Sequence, residues 1–165
     1  MGRCAPPRLV NVLDVGVPMP SFSLPDQDGR LFSSASLRGR WCLLWWYPKA
    51  GTPACTVEGQ ELRDHAEEFA ARGCAVVGLS FDTPEDNHTW ALEQGFGFPL
   101  LSDVDHATAR RFEAERDGDD QYADFPLRVS YLVDPDGIIR KTYAVSGVTS
   151  HATSVLETLS ELEPR

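Results

Sequence analysis

The sequence has no C-x-x-C pair, no paired histidines at metal-ligand spacing, no long apolar run and a deficit of positive charge. Each absence excludes something. Its four cysteines stand apart at Cys4, Cys42, Cys55 and Cys74. That spread excludes a structural zinc site, and the missing C-x-x-C excludes a thioredoxin-type disulfide reductase. Fifteen Lys and Arg against 25 Asp and Glu leave a formal charge of −10. A surface that negative repels phosphate backbones, so no nucleic-acid partner is expected. The acidic residues are scattered, as on a solvated surface rather than an acidic tail. No apolar run reaches membrane-spanning length, so no membrane partner is expected. The opening MGRCAPPRLVNVLDV has no continuous apolar h-region. Pro6 stands where N-myristoylation requires serine or threonine. A cytoplasmic location with reduced thiols follows, with a loosely structured extension over about 1–17. The GFG at 95–97 lacks a third glycine and follows no strand, so it is not a dinucleotide loop. There are no repeats and no linker, and 165 residues with 42% hydrophobic content fit one domain, 1–165.

What is present is organised around residues 41–72, WCLLWWYPKAGTPACTVEGQELRDHAEEFAAR. Residues 41–47 are aromatic and aliphatic throughout and predict a strand buried on both faces. Pro48 ends it. After a short turn, Thr52 followed by Pro53 predicts a helix start, with Thr52 as N-cap. Leu62, Ala66, Phe69 and Ala70 recur at helical spacing up to Gly73. Cys55 then falls in the first turn, where free N–H groups and the positive end of the helix dipole favour a thiolate. A small buried hydrophobe is the competing reading, since free cysteines are commonly core residues.

Elsewhere, 21–33 read as two short strands joined at Asp28-Gly29. Residues 36–39 form a brief helical turn and 75–81 a second buried strand. Thr83-Pro84 opens a helix that Gly95 closes. Residues 99–101 suggest a short strand, 106–115 a helix and 116–124 an acidic surface loop. Residues 128–133 and 138–145 flank the turn Asp134-Pro135-Asp136-Gly137, an antiparallel hairpin. A helix over 149–162 closes the chain. The strand-helix-strand order implies a parallel pair with a right-handed crossover. The whole order is α/β: a thioredoxin-like mixed sheet flanked by helices, with an extra N-terminal β-hairpin.

Pro48, Thr52 and Cys55 form P-x-x-x-T-x-x-C, and YPKAGTPACTVE resembles the active-site segment of the peroxiredoxins. The likeness is strongest to the bacterioferritin-comigratory-protein, or peroxiredoxin Q, group of the alkyl hydroperoxide reductase / thiol-specific antioxidant superfamily. It continues through VVGLSFDTPEDNHTW, GFPLLSD and LRVSYLVDPDGIIRK, nearly the whole chain. The resemblance implies a thiol-dependent peroxidase. It reduces hydrogen peroxide and organic hydroperoxides through a sulfenic acid at Cys55 and needs no cofactor or metal.

The resemblance also implies roles. Thr52 offers its hydroxyl to peroxide or sulfur, and Pro48 shields the sulfur. Arg128, just before a strand, binds the developing negative charge. Glu58 orients Arg128 or makes a plain first-turn dipole contact. Many members carry a second, resolving cysteine five residues after the first. Gln60 stands there, and 84–94, the alternative place, holds no cysteine. Cys42 and Cys74 read as core, and Cys4 as a mobile rival. A one-cysteine mechanism follows, with thioredoxin, glutaredoxin or a small thiol as reductant, and a monomer favoured over a dimer. A redox-inert thioredoxin-like binding or chaperone module is the alternative. A cysteine hydrolase would need a Cys–His pair. His65 lies about 15 Å along the helix from Cys55 at 1.5 Å per residue. His88, His106 and His151 have no motif neighbours and read as surface or satisfied histidines.

Overall fold

The computed structural model describes residues 12–163. Cys4 lies outside them. The first two strands, β1 (Ser23–Pro25) and β2 (Leu31–Ser33), pair antiparallel. Their turn at Asp28-Gly29 is closed by the Asp26 carboxylate, which accepts from the Asp28 and Arg30 N–H groups. A 3-10 turn at Ser34–Leu37 follows. Residues 12–17, the described part of the 1–17 extension, are tied to the body. Gly16 N–H donates to the Ile139 carbonyl, and Val17 accepts from Ile139 N–H.

The main sheet has five strands in the order β5-β4-β3-β6-β7. They are β3 (Trp41–Trp46), β4 (Cys74–Ser80), β5 (Leu100–Ser102), β6 (Val129–Val133) and β7 (Ile139–Ala144). The first three run parallel, while β6 and β7 are antiparallel. The central β3 is buried at every position, as its unbroken apolar run predicts. Its side chains alternate between two cores. Leu43, Trp45 and Tyr47 pack with Cys55, Leu62 and Trp90 on one face. Cys42, Leu44 and Trp46 pack with Leu79, Phe112 and Tyr131 on the other.

Among the described residues five helices flank the sheet: α1 (Pro53–Asp64), α2 (Ala66–Ala71), α3 (Pro84–Gln94), α4 (Ala107–Arg111) and α5 (His151–Leu162). α3 keeps its expected cap, with Thr83 Oγ1 accepting from Asp86 N–H and Gly95 closing it in the left-handed region. Two expectations are corrected. The helix expected to run unbroken to Gly73 is two helices, because the chain leaves helical geometry at His65 (φ −102°, ψ 13°). There the His65 N–H and Nδ1 both engage the Glu61 carbonyl. The helix expected over 106–115 is only α4, because His106 and Glu113 take positive φ at its two ends.

The topology sets up one location. The C-terminal end of β3 delivers Tyr47 and Pro48 to the N-terminus of α1. The antiparallel β6 starts at that same end, with Trp45 opposite Ser130. Residue 128 therefore meets the first turn of α1. That helix packs closely against Phe96, just beyond the end of α3. An added Cβ at Gly59 would stand 2.5 Å from Phe96 Cζ. Gly59→Ala is therefore expected to cost about 1–3 kcal/mol through overpacking, read as a lower denaturation midpoint. An unchanged midpoint would show that Phe96 yields freely.

Candidate active site

Cys55 is fully buried in the first turn of α1. The Arg128 guanidinium bridges it to Glu58. Nη2 donates to Cys55 Sγ at 3.4 Å and Nη1 to Glu58 Oε1 at 2.9 Å. The arginine side chain is 18% exposed and Glu58 is 0% exposed. Glu58 Oε1 thus meets the Arg128 side chain directly. Burial opposes the charge of Arg128, but the negative charges of Cys55 and Glu58 outweigh it and raise its pKa. Burial pushes Glu58 up to about 7, against the pull of Arg128.

Thr52 stands at the N-cap position, but its side chain caps nothing. Its hydroxyl instead donates to the Lys49 carbonyl at 2.7 Å. This corrects the expected cap and has a chemical consequence. With its proton committed to Lys49, Thr52 has only lone pairs left for a newcomer, so it accepts from an approaching O–H. The loop between Pro48 and Thr52 is fixed by Ala50 N–H, which donates to Asp82 Oδ2 at 2.9 Å. Pro48 is partly buried where β3 ends.

A buried polar chain backs this loop. Tyr47 OH donates to Asn87 Oδ1 at 2.7 Å, and Asn87 Nδ2 donates to Ser102 Oγ at 3.2 Å. Trp90 Nε1 donates to Thr56 Oγ1 at 3.2 Å, beside Cys55. Sequence reasoning missed Tyr47, Asp82 and Asn87 as supports. Asp82 alone carried a signal, since it follows a parallel strand at the carboxyl end where such sheets build their sites. His151 is buried against Ser130, with Nε2 2.9 Å from its hydroxyl and the Tyr143 ring edge-on at 5.1 Å. It is a satisfied core histidine.

The other described cysteines stand away from this centre. Cys42 faces the opposite core, and burial pushes its thiol up to about 12. Cys74 pairs with Trp41 at the start of β3, about 17 Å from that strand's other end at ~3.3 Å per residue. Burial also pushes its thiol up. Gln60 Nε2 donates to Gln94 Oε1 at 2.9 Å, and Arg63 Nη1 to the Gln94 carbonyl at 2.7 Å. Among the described residues, no three His, Cys, Asp or Glu side chains are grouped to hold a metal ion. No described helix is long and apolar enough to cross a membrane.

The chain resembles known proteins over most of its length. Residues 15–142 match the AhpC/TSA family. The chain is 37% identical over 154 residues to peroxiredoxin Bcp of Escherichia coli K12, covering 92% of this chain and 99% of that protein. It is 37% identical over 151 residues to a putative peroxiredoxin of Mycobacterium tuberculosis H37Rv, covering 90% and 96%. Among solved structures it is similar to peroxidoxin BcpB of M. tuberculosis, with TM-score 0.83, 29% identity, and 90% and 97% covered. It is also similar to the bacterioferritin comigratory protein of Xanthomonas campestris, with TM-score 0.79, 28% identity, and 86% and 91% covered. That protein's structures concern its alkyl peroxide reduction activity.

The surroundings of His151 yield a pH prediction. Burial first, and the charge of Arg128 second, lower its pKa from 6.5 to about 4. Between those values the unfolded chain binds a proton at this position and the folded chain does not. Stability is therefore lost as pH falls through that window. Urea unfolding at pH 6.5 and pH 4 should show wild type losing more stability than His151→Gln, by up to about 3 kcal/mol at 1.36 kcal/mol per unit. Equal losses would show that His151 does not titrate this way.

Proposed function

The chain belongs to the AhpC/TSA family, and on that premise we propose a thiol-dependent peroxidase that works with one cysteine, Cys55. The supporting observation is the Arg128 guanidinium shared between Cys55 Sγ and Glu58. A fixed cation at the sulfur waits where charge develops on the leaving oxygen. The thiolate attacks the terminal oxygen of the peroxide and the O–O bond breaks. Sulfur is oxidised to a sulfenic acid, and the other oxygen leaves as hydroxide or alkoxide. Thr52, its own proton held by Lys49, accepts from the incoming peroxide O–H and orients it. Arg128 stabilises the leaving oxygen. Pro48, lacking an N–H, keeps a water-attracting donor away from the sulfur.

Two thiol groups of an external reductant then return the sulfenic acid to the thiol, releasing water and a disulfide of the reductant. Thioredoxin, glutaredoxin or a small thiol fits this step. The one-cysteine course is supported by Gln60 at the expected resolving position and by its hydrogen bond to α3. Cys42 and Cys74 are buried, and a disulfide needs Cα atoms within about 7 Å. Cys4 is the remaining rival and lies outside the described residues. The same reading carries a single-domain monomer in the cytoplasm.

Cys55→Ser should abolish peroxide consumption driven by a thiol reductant, and equal activity in both proteins would sink the reading. After one equivalent of peroxide, the intact mass of wild type should rise by one oxygen, or show an adduct with the external thiol. A loss of two hydrogens that Cys4→Ser prevents would refute the one-cysteine course.

A further inference from the structure

Glu58 holds a position that orientation of Arg128 does not fully explain. One guanidinium serves two anions, Cys55 Sγ and Glu58 Oε1. The second carboxylate oxygen, Oε2, is buried without a hydrogen-bond partner among the described residues. Thiolate, carboxylate and guanidinium together would leave a net negative charge in a buried cluster, with one carboxylate oxygen given no hydrogen bond by the described residues. Burying uncompensated charge of this kind is costly, and a group so placed neutralises instead.

The other titratable groups nearby offer no relief. From α5, His151 is neutral at physiological pH, because burial and Arg128 hold its pKa near 4. From the end of β3, burial holds the Tyr47 hydroxyl protonated. Among the described residues Arg128, entering from the start of β6, is the cation that meets both acids of this cluster. Two acids around one cation titrate as a coupled pair, so ionising one favours the proton on the other.

We propose that Glu58 is the proton store of the peroxide step: it holds a proton while Cys55 is a thiolate and gives it up when the sulfur becomes neutral. The proposal rests on the peroxidase reading and adds the proton accounting. The thiolate takes the terminal OH of the hydroperoxide and becomes a neutral sulfenic acid. The alkoxide that leaves takes up one proton, and Glu58 loses one. Thiolate, hydroperoxide and carboxylic acid become sulfenic acid, alcohol and carboxylate, with no proton drawn from solvent overall. Arg128, no longer shared with a thiolate, is then left to the Glu58 carboxylate. Glu58 acts through Arg128 and the charge of the cluster, so it is a positioning residue. The burial that raises its pKa to about 7 agrees with this role.

The test counts protons. Reduced wild type and Glu58→Gln, both showing the ultraviolet thiolate band, are mixed with one equivalent of hydrogen peroxide in weakly buffered solution at neutral pH with an indicator dye. Glutamine keeps an acceptor for Arg128 but cannot store a proton. The variant should take up about one more proton per Cys55 oxidised than wild type, and equal uptake would overturn the proposal. Infrared difference spectra of wild type alone give a second reading that does not depend on the variant folding. A protonated-carboxyl band should disappear, and a carboxylate band appear, as Cys55 is oxidised. No carboxyl change would equally overturn it. Addition of one oxygen, followed by mass in the same samples, reports separately on the underlying peroxidase reading.

Discussion

The structure turns on one shared guanidinium. Arg128 reaches from the start of β6 to the first turn of α1 and donates at once to a sulfur and a carboxylate. Neither acceptor is exposed to solvent, so the interaction is not weakened by water as a surface pair would be. The architecture exists to make that meeting. β3 lies between its parallel partner β4 and its antiparallel partner β6, so one end of the sheet collects the strand-to-helix turn and the arginine. A parallel neighbour alone would have started at the far end. The apolar run of β3 places six buried strand residues against two cores, and that burial holds the turn still.

Much of this was legible in the chain. The unbroken apolar stretch over 41–47 gave the central strand, and threonine-proline pairs gave the starts of α1 and α3. The Asp134-Gly137 turn gave the last hairpin. These are local signals whose physics lies within a few residues. What escaped notice depended on contacts between distant residues. The Glu58–Arg128 and Cys55–Arg128 bonds, which span 70 and 73 positions, are the exception, since the family resemblance brought Arg128 to Cys55 and allowed Glu58 to orient it. Tyr47, Asn87 and Ser102 meet only once three elements have packed. The helix break at His65 was hidden because the apolar spacing continues across it. The hydroxyl of Thr52 was read as a cap from its residue type. The local turn offered a closer partner in the Lys49 carbonyl, and that choice decides what the hydroxyl can give a substrate.

The same packing bears on turnover. Gly59 against Phe96, Gln60 bonded to Gln94 and Arg63 bonded to the Gln94 carbonyl tie α1 to the end of α3. Local opening is drawn from poorly packed segments with exposed backbone bonds, and in α1 Gly59 is buried and Gln60 half-buried. These ties hold the start of α1, and with it the sulfur, beside Arg128. That suits reduction by an incoming thiol better than migration of the sulfur to a partner within the chain.

The central claim is that the guanidinium of Arg128 carries the electrostatic part of peroxide reduction at Cys55. The most direct measurement is the second-order rate constant for oxidation of reduced protein by hydrogen peroxide, in wild type and Arg128→Ala, with circular dichroism confirming that both are folded. Loss of one such donor is worth about 2.7–4 kcal/mol, so the rate constant should fall by roughly 10²–10³-fold. A folded Arg128→Ala protein that reacts as fast as wild type would contradict the account.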